Sequence, residues 1–151
     1  MEILVSGETS KLRSVIIGIA DSLGNIPSLK ELYDPKSIEN LNKGTYPLES
    51  DMVKELENFV VLLKKYNVKV YRPNLIKDYN QIFTRDIGFV IDNFFFKSNI
   101  LPKRAKEFEG ISSVLSGFHN KIVTMPQDLH IEGGDVLYQS NTIFVGYYLS
   151  L

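Results

Sequence analysis

With 151 residues and 17 basic against 18 acidic side chains, the chain has a formal charge of −1, too little positive charge to hold nucleic acid through its phosphates. Apolar residues at 44% and charged residues at 23% exclude a disordered or fibrous chain, and the size suits a single domain over 1–151. No apolar run reaches the roughly 18 residues of a membrane span, the N-terminus lacks a secretory layout, and the absence of cysteine removes disulfides, thiolate metal sites and a thiolate nucleophile from this stretch; a cytoplasmic protein without membrane partners is the expectation.

Leu12 to Ala20 carries Val15, Ile16, Ile17 and Ile19 in a short β-branched run, which predicts a buried strand. From Asp21 to Tyr46, Gly24, Pro27, Asp34, Pro35, Asn40, Asn42 and Gly44 break every apolar patch, which reads as a long loop with about one helical turn. A connection of that length must be tied down, and it is expected to flank a site. Pro47 then opens a helix in which Met52, Val53, Leu56, Phe59, Val60 and Leu63 form one stripe at helical spacing, ended by Asn67 after two lysines. Val68 to Tyr71 follows as a strand, closed by Pro73.

Asp86 to Val90 and Phe94 to Lys97 read as a hairpin turning at Ile91-Asp92-Asn93. Pro102 is expected to start a second helix, with Ala105, Phe108, Ile111, Ser112 and Leu115 on one face and Gly117 at its end. Lys121 to Met125 is a further strand. Asp135 to Tyr138 and Thr142 to Tyr147 flank Gln139-Ser140-Asn141 as a second hairpin. The strand–strand–helix–strand order thus begins again, with 49 residues from Asp86 to Asp135, a spacing that suggests an internally repeated unit. The segment holding the first strand, first long helix and next strand fits a diverged unit of the same kind. The apolar stretch Phe144 to Leu151, with Tyr147 and Tyr148 read as core and interface residues, leads to the expectation that further units follow and that the exposed C-terminal strand can pair with a second copy.

Two clusters place a carboxylate at the mouth of a hairpin, one repeat apart: Phe83-Thr84-Arg85-Asp86 and His130-Ile131-Glu132-Gly133-Gly134-Asp135. Gly133-Gly134 allows a sharp turn and close backbone approach to a ligand, leaving Glu132 to project. Converging on one axis, Asp86 and Glu132 suit a cation, either a guanidinium held through paired N–H···O bonds or a divalent metal held through oxygen. The plainer reading is that Arg85 and Asp86 pair with other charges and that the glycines make an ordinary turn.

Phe83-Thr84-Arg85-Asp86 and Glu132-Gly133-Gly134-Asp135-Val136 resemble the two N-terminal motifs of the guanidine-modifying enzymes, namely arginine deiminase, dimethylarginine dimethylaminohydrolase and the amidinotransferases; the strand from Leu12 resembles their opening strand. The resemblance implies the pentein fold, an α/β-propeller of five ββαβ units, about half of it present here. It implies that Asp86 grips the substrate guanidinium, that Glu132 is the acidic residue of the catalytic set, orienting the guanidinium and assisting proton transfer, and that Arg104 meets a substrate carboxylate. Arg85, Gly133, Gly134 and Asp135 complete the expected substrate-binding set, with no metal and no cofactor. The family's catalytic His and Cys fall in later units, so the 151 residues alone are expected to be inactive. His130 and His119 match neither. A non-catalytic pentein module for a cationic ligand or ribosomal partner, and a metal-dependent hydrolase using Asp86, Glu132, Asp135 and His130, are the alternatives.

Overall fold

Val15 stands opposite Val70 where β1 (Ser14–Ile16) and β2 (Lys69–Tyr71) run parallel, in the computed structural model, which describes residues 3–32 and 34–147. Parallel neighbours require a crossover. Its longest element is α2 (Glu49–Lys65), with Glu49 and Asp51 in the first turn and Lys64 and Lys65 in the last, each suited to the helix dipole. Val60 is buried and Met52, Val53, Leu56 and Leu63 are half-buried, as the apolar stripe predicts, whereas Phe59 at its margin is exposed. Asn67 ends the helix region in a left-handed conformation, φ 59°.

The segment expected to be a loop with one helical turn contains a full helix, α1 (Pro35–Lys43). Asp34 caps it by accepting the Ser37 N–H at 2.7 Å, Pro35 takes the first helical position, and Gly44 closes it at φ 67°. None of its residues is buried. The expected tether is present: Ser22 and Leu23 donate their N–H groups to the Glu49 carboxylate at 3.1 and 2.8 Å.

Downstream, β3 (Gly88–Ile91) and β4 (Phe94–Lys97) are antiparallel around a two-residue Asp92-Asn93 turn, with Asp92 at φ 49°. β5 (Ile122–Thr124) joins β4 in parallel. The helix before it does not begin as an α-helix at Pro102. Pro102–Arg104 forms a 3-10 turn, Ala105 and Lys106 continue it with right-handed helical dihedrals, and α3 (Glu107–Leu115) follows; Gly117 lies in a second 3-10 stretch, Ser116–Lys121. Ile111 and Leu115 of α3 pack with Ile3, Ile87 and Phe95 into the core, and Phe108 lies 6.2 Å from the Phe95 ring. β6 (Val136–Gln139) and β7 (Thr142–Val145) form the last hairpin, turning at Ser140-Asn141 with both φ angles positive.

The result is a mixed α/β fold of three small sheets, ordered β1-β2, β3-β4-β5 and β6-β7. The middle one, with α3, is a complete ββαβ unit. Gly88 and Val136, and likewise Phe94 and Thr142, begin equivalent strands 48 residues apart. Val5 and Gly7 bridge to Asp92 and Gln139, tying the N-terminal segment to both hairpins. Tyr147 is not in the core but 84% exposed, and 148–151 lie outside the described residues.

Ile111 is 1% exposed at the centre of this packing. Ile111→Ala is expected to lower unfolding free energy by about 2–5 kcal/mol in urea titration.

Candidate functional site

Thr84 fixes the first motif to β1 by donating its hydroxyl to the Ile16 carbonyl at 3.0 Å. The next residue reaches the second motif. Arg85 Nε donates to the Gly133 carbonyl at 2.8 Å and Nη2 to the Val136 carbonyl at 2.6 Å, with Glu8 3.1 Å away as an ion pair. In return the Gly133 N–H donates to the Asp86 carbonyl at 3.1 Å. A Cβ at Gly133 would stand 2.1 Å from the Arg85 carbonyl oxygen, so this contact admits only glycine.

That docking places Asp86 beside Glu132, and both meet Arg104. One guanidinium nitrogen, Nη1, donates to Asp86 Oδ2 at 3.0 Å and to Glu132 Oε1 at 3.3 Å. The opposite edge is held by Glu107, the first residue of α3: Nε to Oε1 at 2.6 Å and Nη2 to Oε2 at 3.0 Å, a two-bond fork. Glu107 is 4% exposed. These side chains lie in a cleft of about 590 Å³, walled also by Tyr79 and Phe83 and by Leu32, Asp34, Ser37 and Tyr46 of the long 21–46 segment. The segment therefore flanks the site, as its length led us to expect.

The charges act on one another. Arg104 is held well above its ordinary pKa, chiefly by its bonds to Glu107 and then by Asp86. Burial pushes the Glu107 carboxyl up while Arg104 pulls it back. Burial likewise raises the Glu132 carboxyl, opposed by Arg104 and reinforced by the neighbouring Asp86 charge.

Of the predicted site residues, Asp86, Glu132 and Arg104 come together. Arg104, expected to meet a substrate carboxylate, is engaged by three protein carboxylates. Arg85, Gly133, Gly134 and Asp135 are not among the residues lining the cleft. Arg85 and Gly133 join the two motifs, Gly134 lies against the Asp86 carboxylate, and Asp135 forms a capping box with Glu132. Nor are Asp86 and Glu132 equivalent positions one repeat apart: they are 46 residues apart, whereas the strands repeat at 48. The four residues proposed for a metal do not assemble, and among the described residues no group of three or more His, Asp or Glu is arranged for an ion. His130 is exposed with Nδ1 3.3 Å from the Asn99 carbonyl, and His119 is exposed. Glu107 was missed in the sequence; its signal was the three-residue spacing from Arg104.

No family model matches the chain. The uncharacterized protein YkgA of Bacillus subtilis (strain 168) is 33% identical over 93 residues, 58% of this chain and 31% of that protein. Among solved structures, the amidinotransferase SxtG of Microseira wollei superposes with a TM-score of 0.65 at 17% identity over 95% of this chain and 54% of its own. A dimethylarginine dimethylaminohydrolase from Pseudomonas aeruginosa, complexed with citrulline, gives 0.63 at 14% identity over 90% and 50%. The inosamine-phosphate amidinotransferase StrB1 of Streptomyces griseus gives 0.59 at 15% over 90% and 52%. The fold is thus that of the guanidine-modifying enzymes. The chain spans about half the length of these solved relatives and under a third of YkgA.

Because a methyl group at position 133 has no space, Gly133→Ala is expected to destabilise the protein by about 1–3 kcal/mol in urea titration, and a larger loss than for Gly117→Ala, where a Cβ would meet nothing within 4 Å.

Proposed function

We propose that the complete protein modifies a guanidino compound, and that this chain supplies the carboxylate half of the active site within a pentein-type propeller. The observation that carries the reading is the shared hold of Asp86 and Glu132 on one guanidinium nitrogen at the cleft. Three carboxylates surround one guanidinium. Glu107 spends both oxygens on Nε and Nη2, while Asp86 and Glu132 divide the single remaining nitrogen, and an ionised carboxyl accepts about four hydrogen bonds. The pair keeps acceptor capacity and negative charge for a second planar cation.

A guanidinium is resonance-stabilised and resists attack at carbon. Holding it in the plane of two carboxylates orients the carbon toward a nucleophile and keeps the cation charged until attack. In the mechanism the resemblance implies, a thiolate forms the C–S bond, the amine leaves with a proton, and water or an acceptor amine resolves the intermediate. The thiolate would come from the part of the fold these 151 residues do not include, so the isolated chain is expected to show no turnover.

In a citrulline-release assay on the complete protein, Glu132→Gln and Asp86→Ala are each expected to lower kcat/KM by about 10²–10³-fold; full activity in both variants would refute the assignment. Glu132 must be ionised to hold the substrate, and its folded pKa is raised. The acidic limb of kcat/KM is therefore expected above the ordinary glutamate value of about 4.3, with activity falling as pH drops through it, and Glu132→Gln should remove that limb.

A further inference from the structure

We infer that α2 carries a self-complementary face on which a second copy of this chain docks, the two helices running antiparallel about a two-fold axis that passes between Phe59 and Leu62. Beside the stripe that packs inward, Asp51, Glu55, Phe59, Leu62 and Tyr66 follow one another at spacings of 4, 4, 3 and 4, a second row at helical period on the flank of the same helix.

This row is open to water. Phe59, Leu62 and Tyr66 are 46%, 49% and 68% exposed, and Asp51, Glu55 and the neighbouring Lys65 are exposed too. A single exposed apolar side chain needs no partner, but three in adjacent turns on one flank of one helix form a patch whose removal from water favours association.

The charges along the row decide which partner fits. Its N-terminal end is acidic, with Asp51 and Glu55, its centre is apolar, and its C-terminal end is basic, with Lys65 and, where β2 begins, the exposed Lys69. None of the ion pairs among the described residues uses Asp51, Glu55 or Lys65. A row that changes sign about an apolar centre is complementary to itself when turned end to end, which is what an isologous interface needs and what a partner of different sequence would not require. The spacing agrees. At about 1.5 Å of rise per residue, Glu55 lies ~8 Å from the midpoint of Phe59 and Leu62 and Lys65 lies ~7 Å beyond it, so the two-fold sets each Glu55 opposite the other copy's Lys65. Both pairs fall at the rim, where charges orient the copies, while the aromatic and leucine side chains at the centre hold them together.

Sedimentation equilibrium of the complete protein tests the inference. A dimer is expected, and Leu62→Glu, and separately Phe59→Glu, should weaken it by about tenfold or more. Glu55→Lys and Lys65→Glu should each weaken it by about tenfold, because each reversal sets like charges together twice, whereas the double variant should restore the wild-type affinity. All four side chains are exposed, and circular dichroism checks that the variants fold; should the two apolar variants not fold, the charge reversals decide. A monomeric complete protein, its flank covered by another segment of chain or left bare, would overturn the inference. So would a double variant that stays weak, or a dimer indifferent to both reversals, as pairing through the β7 edge would be.

Discussion

The contact of Gly133 with the Arg85-Asp86 backbone sets the position of Asp86 against Glu132. Two chain segments 48 residues apart approach so closely that the Arg85 carbonyl occupies the space where a side chain at 133 would begin. The exchange is reciprocal, since Gly133 donates to the Asp86 carbonyl and accepts from Arg85 Nε. Arg85 thereby serves as a clamp: its charge-assisted bonds to two carbonyls of the second motif fix the separation of the hairpins. Gly134 adds room. A Cβ there would lie 3.2 Å from Asp86 Oδ1, so the bare backbone leaves the carboxylate its place.

On that frame the electrostatics follow from burial. A carboxylate as buried as Glu107 is tolerated because Arg104 satisfies both its oxygens, and removing one member of such a pair is costlier than never having built it. The 3-10 turn at Pro102–Arg104 and the helical residues after it place these side chains: Arg104 ends the turn and Glu107, three residues on, begins α3. The same helix carries Ile111 and Leu115 into the core, which couples the site's geometry to the stability of the ββαβ unit.

Much of this was legible in the sequence wherever local chemistry decides the outcome. The β-branched run at Val15 to Ile17 gave a strand, and Asp92-Asn93 and Ser140-Asn141 marked tight turns because Asn and Asp tolerate positive φ. The repeat was readable from the two similar hairpins, and Asp86 and Glu132 from their place before them. What could not be read depends on tertiary contacts. α1 buries none of its residues, so no apolar stripe announces it; its Asp34-Pro35 start and Gly44 stop were the available signals. The bonds of Arg85 to carbonyls supplied from 48 and 51 residues away are of the same kind, since nothing local reveals them. The burial of Glu107 depends on how α3 sits on the sheet, which no local pattern reveals, although its three-residue spacing from Arg104 was readable.

A structure of the complete protein with a bound guanidino ligand measures the geometry directly. The account predicts the ligand's planar cation within hydrogen-bond distance of both the Asp86 and Glu132 carboxylates, with Arg104 still forked on Glu107. A ligand whose guanidinium lies away from either carboxylate would contradict it.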